Sequence, residues 1–183
     1  MCRDYPATWA ADLGRSEINL YLAFPLLTGV ALIQTTFLSG VSVLGGQPNL
    51  MLLVVLAWTM IRGIDEGLVW AFVGGLILDL LSGGPLASIA LALLAAAYLA
   101  GQSLVEGVGS QAVRLVILTV LGTMVYHLVL LLVLSWSGHR VDWGFALVRV
   151  AGPSIVLNGV LVPFLLPPLT WLDRATAEEG LAA

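Results

Sequence analysis

The chain has 183 residues, is 60% hydrophobic and 10% charged, and carries a formal charge of −4. Ordinary soluble domains carry about a quarter charged residues, so there is too little polar surface here to coat a water-soluble globule. The basic residues are scattered arginines, which excludes an electrostatic footprint for nucleic acid, and the single cysteine, Cys2, excludes an internal disulfide or a thiolate metal cluster.

Residues 1–17 hold Arg3, Asp4, Asp12, Arg15 and Glu17 and are expected in water or along the membrane interface. The first apolar run, about Ile18 to Leu38, is too long for a signal-peptide core and reads as a membrane span. Gln34, Thr35 and Thr36 within it read as packing groups. A Gly-rich loop then ends in Gln47-Pro48-Asn49, where Pro48 suits the first turn of a second helix running to about Ile61. Arg62 to Gly67 is a charged turn. A third helix follows to Leu81, with Asp65 and Glu66 at its positive end.

Ser82-Gly83-Gly84-Pro85 forms the next turn, and Pro85 suits the start of an Ala-rich fourth helix reaching about Val105. The fifth helix extends from about Arg114 to Ser135. Trp143 to Val150 is expected as an interfacial helix with Asp142 as its N-cap. Pro153 is expected to break it, leaving Ser154 to Leu172 as the last crossing and 173–183 as a frayed tail.

Continuous apolar runs, not alternating ones, reject a β-barrel. The expectation is an all-α integral membrane protein with a six-transmembrane-helix bundle over 18–172, between an N-terminal segment 1–17 and a tail 173–183. The second and third helices are short for a hydrocarbon core of ~30 Å, so a thinned bilayer or other protein must cover their ends. Six crossings collect Arg3, Arg15, Arg62, Arg114 and Arg174 on one side, against Arg140 and Arg149 on the other. The first side, with both termini, is then cytoplasmic. A turn near residue 64 sets Trp58 level with Trp70, near the inner interface with Trp171, while Trp136 and Trp143 mark the outer one.

Asp79 is the most informative residue. It stands near the C-terminal end of an apolar helix, where the macrodipole disfavours an acid. Gly67, Ala71, Gly75 and Asp79 recur every four residues and share one face, a seam that lets another helix come close. The same hairpin sets Asn49 level with Asp79, which predicts an amide–carboxylate hydrogen bond. The plainer expectation is that Asp79 caps Ser82, Gly83 and Gly84. A structural role outweighs a proton or cation path, since the acid is near an end and lacks an intramembrane basic partner.

Thr119, Gly122, Thr123, Tyr126 and His127 form one stripe on the fifth helix, read as interhelical hydrogen bonding before a ligand cavity. His127 and His139 offer no metal-ligand spacing. Asn158, Gly159 and Pro163 mark a polar, kinked point in the last helix, again read as packing. No HExxH, GxSxG or P-loop motif is present, so no catalytic residues, cofactor or metal are assigned.

Gln47 through Gly101 resembles the MreD family. The shared features are Pro48-Asn49 entering an apolar helix, the turn Arg62 to Gly67, Gly75-x-x-x-Asp79, the turn at Ser82-Gly83-Gly84, and Pro85-Leu86. The next family position is often Gly; this chain has Ala87. Asn158 with Pro163 is similar to the family's C-terminal helix. The resemblance implies a non-enzymatic scaffold of the bacterial cell-elongation complex, in the cytoplasmic (inner) membrane. It implies partnership with MreC, a bitopic protein, and work alongside the MreB filament, RodA and a class B penicillin-binding protein in peptidoglycan synthesis. It also implies an architecture similar to the S-components of energy-coupling-factor transporters, so a small-molecule-binding transporter subunit is the competing reading. A lipid-modifying enzyme is a third, disfavoured by the missing motifs. Trp143, Phe145, Leu147 and Val150 are expected to present an apolar face to a partner or to the membrane surface.

Overall fold

A computed structural model describes residues 23–38, 40, 45–102, 109–138 and 142–179, with side chains to Trp171. The readings of Cys2, Arg3, Asp4, Asp12, Arg15, Glu17, His139, Arg140, the start of the first span and the end of the tail lie outside them. Among the described residues all regular structure is helical. The helices are α1 (Ala23–Leu38), α2 (Leu50–Arg62), α3 (Ile64–Ser82), α4 (Ser88–Gly101), α5 (Gln111–Trp136), α6 (Trp143–Ala146) and α7 (Gly152–Glu179).

α2 is the axis of the bundle. Every residue from Met51 to Thr59 is buried, and α3, α4, α5 and α7 all pack on it. A helix apolar on all sides must be surrounded by protein or lipid, and here protein surrounds it. Its 13 residues span about 20 Å. Enclosure by neighbouring helices is therefore the answer to its short length. α1 adds Ala23, Leu27 and Ala31, one face at four-residue spacing, to the same core.

Gly63 alone separates α2 from α3. Its φ of +99° is open to glycine at little cost, and its N–H closes α2 on the Thr59 carbonyl at 2.9 Å. The hairpin brings Trp58 and Trp70 into a stack with centroids 4.1 Å apart. Level placement of the two indoles is therefore correct, and both are buried within the bundle. Trp58 donates from Nε1 to Glu66 at 3.2 Å, and the Arg62 guanidinium lies over its ring. Trp136, Trp143 and Trp171 are exposed.

Several boundaries differ from expectation. Pro48 and Pro85 both precede their helices instead of occupying the first turn, because Asn49 caps α2 and the Pro85 carbonyl accepts from Ser88 N–H at 3.3 Å. α4 stops at Gly101, where Gln102 is extended, and Val105 lies outside the described residues. Asp142 does cap α6, accepting from Phe145 N–H at 3.1 Å. Pro153, however, does not break the chain. The π-helical turn Leu147–Ala151 leads α6 into α7, and Trp143–Trp171 is one continuous helix of 29 residues. A wider turn just before a proline relieves the clash of its ring with the preceding carbonyl. α7 also continues to Glu179, past Leu172, where the last crossing was expected to end.

Two helices, Gln111–Trp136 and Trp143–Trp171, are long and apolar enough to cross a membrane, and α1, α2 and α4 are shorter apolar helices. Apolar side chains are exposed in stripes, including Phe24 and Phe37 on α1, Leu128 and Leu132 on α5, and Val160 and Phe164 on α7. Such a surface suits hydrocarbon and not water.

Candidate functional site

The polar side chains inside the bundle gather where α2 and α4 begin. The first amides of a helix have no partner within it, and in an apolar surround each uncovered group costs several kcal/mol. Both of these helix starts are buried, so both need donors and acceptors from elsewhere in the chain.

At α2 the partners are neutral. Asn49 Oδ1 accepts from Leu52 N–H at 3.0 Å, and its own backbone carbonyl accepts from Leu53 N–H at 3.2 Å. Gln34 Oε1, from α1, accepts from Met51 N–H at 2.9 Å. The chain entering the helix is held by α7, where Ser154 Oγ accepts from Gln47 N–H at 3.2 Å and Asn158 Oδ1 from Asn49 N–H at 2.8 Å. Ser154 and Asn158 are one turn apart, so one face of α7 reads two alternate amides of an extended segment. Gly46 makes this approach feasible: a Cβ there would lie 2.6 Å from Ser154 N and 2.7 Å from Pro153 Cβ. Asn158 also donates from Nδ2 to Thr123 Oγ1 of α5 at 3.1 Å.

At α4 the partner is an acid. Asp79 is buried, and its two carboxylate oxygens accept from Ile89 N–H and Ala90 N–H, each at 3.0 Å. Ser88 Oγ donates to the same carboxylate at 3.2 Å. Asp79 therefore does not bond Asn49, and it does not cap Ser82, Gly83 or Gly84. The macrodipole of its own helix opposes the charge, and the N-terminal end of α4 compensates by offering two amides and a positive pole. Gly83 instead ends α3 in the left-handed conformation, and Pro85 sits in the turn whose carbonyl accepts from Ser88.

The small-residue seam on α3 serves two neighbours. A Cβ at Gly67 would run into Thr59 of α2, and one at Gly75 would run into the backbone of Ala90 of α4. Ala71 between them is fully buried. Gly75 is one turn before Asp79, so its bare backbone lets the start of α4 come within reach of the carboxylate. The seam expected to take another helix takes helices of this chain.

Thr119, Gly122, Thr123 and Tyr126 are buried as one stripe of α5. Thr123 joins the Asn158 bond, Gly122 faces Leu56, and His127 holds Nδ1 against the Thr123 carbonyl at 2.8 Å. Thr119 Oγ1 is buried with no hydrogen-bond partner. Pro163 is exposed on α7, and Trp143 is exposed on α6, away from this layer. Ser88 and Ser154 were not singled out by the sequence, and Gln34 was assigned only to packing. The signal that points to Ser88 is local, since an acid nine residues before a helix start is brought back to it by a tight turn. No local signal points to Ser154.

The arrangement positions helix ends; among the described residues it groups no three metal-ligating side chains. A model of one protein family, described as rod shape-determining protein MreD, matches residues 16–175. No curated protein and no solved structure matches the chain. With most of its length matched, the chain belongs to the MreD family of rod shape-determining membrane proteins.

Proposed function

We propose that the protein is a non-enzymatic scaffold of the cell-elongation complex, a six-helix bundle in the bacterial cytoplasmic membrane with both termini inside. In this reading it holds an MreC-like bitopic protein, and through it works beside RodA, a class B penicillin-binding protein and the MreB filament. The six helices are α1 to α5 and the continuous Trp143–Trp171 helix, in an arrangement similar to the S-components of energy-coupling-factor transporters. Short α2 completes its crossing inside a collar of protein.

The observation that carries this reading is the use made of the interior polar groups. Gln34, Asn49, Asp79, Thr123, Ser154 and Asn158 each engage helix ends or one another. A substrate site instead needs convergent polar groups aimed into a shared space. The layer fixes the relative position of six helices, α1, α2, α3, α4, α5 and α7, which is what a platform for other membrane proteins requires. The outer aromatic residues Trp136, Trp143 and Phe145 are exposed and suited to the interface or to a partner there.

The test is gentle detergent purification of the tagged full chain from native membranes, with mass spectrometry of what remains bound. Stoichiometric recovery of an MreC-like bitopic protein is the expected result. Recovery of ATPase subunits, or of a stoichiometric small molecule, would overturn the scaffold and favour the transporter.

A further inference from the structure

The polar groups of α7 divide between its two sides. Ser154 and Asn158 face the bundle and are bonded. The opposite side is bare: Val156, Val160, Pro163, Phe164, Pro167 and Trp171 are exposed. At 100° per residue these fall on one broad face. Only 22% of the apolar window of this helix is buried, against 39% for α5.

That bare face also carries a backbone irregularity. Pro163, Pro167 and Pro168 lie inside the helix. None has an N–H, so the carbonyls of Gly159, Pro163 and Phe164 lose their α-helical donors. Side chains one turn on can replace a lost donor, but the hydroxyl of Thr170 donates to the carbonyls of Leu166 and Pro167, each at 3.0 Å, whose backbone donors at Thr170 and Trp171 are intact. Gly159, Pro163 and Phe164 have no such cover. The residues three and four positions beyond them are Val162, Pro163, Leu166, Pro167 and Pro168, which have no side-chain donor. Lipid tails have none either. Gly159 adds room, because a Cβ placed there meets nothing within 4 Å.

We infer that the face of α7 around Gly159, Val160, Pro163 and Phe164 docks one transmembrane helix of a bitopic partner, which supplies a Ser, Thr, Asn or Gln side chain as donor to the proline-freed carbonyls. The chemistry selects the occupant. A lipid chain fills apolar space but cannot donate, whereas a helix with a hydroxyl or amide fills it and donates. The inference rests on the scaffold reading and locates its partner surface. That surface is separate from the Asp79 seam, which the chain's own α2 and α4 fill.

The test places the photo-crosslinker p-benzoylphenylalanine at Val160, at Phe164, and at Leu128 on the exposed face of α5, one site per full-length chain, in native membranes. The expected result is a product from Val160 and Phe164, and not from Leu128, whose crosslinked peptide lies in the single membrane segment of a bitopic protein. Pro163→Ala restores the missing N–H, and Gly159→Leu closes the space. Each is expected to lower the Val160 product at least severalfold while the melting temperature stays at or above that of the parent. Adducts to lipid alone, to a second copy of this chain, or of equal yield from Leu128 would overturn the proposal. So would a product that neither variant changes. If a bitopic protein co-purifies while Val160 and Phe164 give only lipid adducts, the scaffold stands and this docking face does not.

Discussion

The start of α2 and the start of α4 solve the same problem with different chemistry. Both are buried helix N-termini facing an apolar surround. α2 is held by neutral groups drawn from α1 and α7, and by its own Asn49. α4 is held by one carboxylate from α3. The neutral solution spreads its bonds over three helices and ties together segments more than a hundred residues apart. The charged solution concentrates them in one side chain ten residues upstream. A distributed cap resists the loss of any one member, while a concentrated cap is stronger per residue and fails at one position.

The comparison breaks most directly at Asp79. Asp79→Ala removes the acceptors of two buried backbone amides and is expected to cost about 3 kcal/mol. The midpoint of unfolding in mixed detergent–SDS micelles measures it. Asp79→Asn keeps one acceptor and should recover about half of the loss. Next is Asn158→Ala, which strips Asn49 N–H of its acceptor and Thr123 of its donor, at about 2 kcal/mol by the same measurement. A smaller loss than for Asp79→Ala, despite two bonds to two helices, is what a distributed cap predicts.

Close approach supplies the next effect. Gly75→Ala drives a methyl into the backbone of Ala90, which cannot yield without moving the start of α4 away from Asp79. About 1–3 kcal/mol is expected. Its neighbour Gly74→Ala meets the flexible end of Met51 at 2.7 Å and should cost less than about 1 kcal/mol. Thermal melts of the two variants in one detergent separate rigid from yielding contacts. The smallest effect is a gain. Ala87 precedes α4 with φ of +70°, in the left-handed region that disfavours a side chain. Ala87→Gly should stabilise by about 1 kcal/mol, seen as a raised melting temperature. It also gives a physical reason for glycine at this place in the resembled family pattern.

The sequence made the helical bundle legible because runs of apolar residues end at Gly, Pro and short charged turns. The Arg62–Gly67 turn is legible for the same reason, and the level placement of Trp58 and Trp70 follows from counting along two antiparallel helices. Asp142 as an N-cap is a local signal and holds. What the sequence hides is partner choice over distance. Asp79 announces that something must offset the dipole of its own helix, but only the packing of Gly75 on Ala90 shows that the offset is α4. Ser154 and Gln34 bear ordinary polar side chains in apolar helices, and their value depends on which amides the fold brings past them. Pro153 misleads for a related reason. A proline signals a break, while a single π-helical turn absorbs its ring within a continuous helix.

The account stands or falls on Asp79 as the cap of α4. Residue-resolved amide hydrogen exchange of the parent and of Asp79→Ala in the same micelle tests it. The account predicts exchange faster by roughly a hundredfold at Ile89 and Ala90, the factor that corresponds to about 3 kcal/mol, with Leu52 and Leu53 at the start of α2 unchanged. Unaltered protection at Ile89 and Ala90 would contradict it, because the carboxylate would then not be what holds the start of α4.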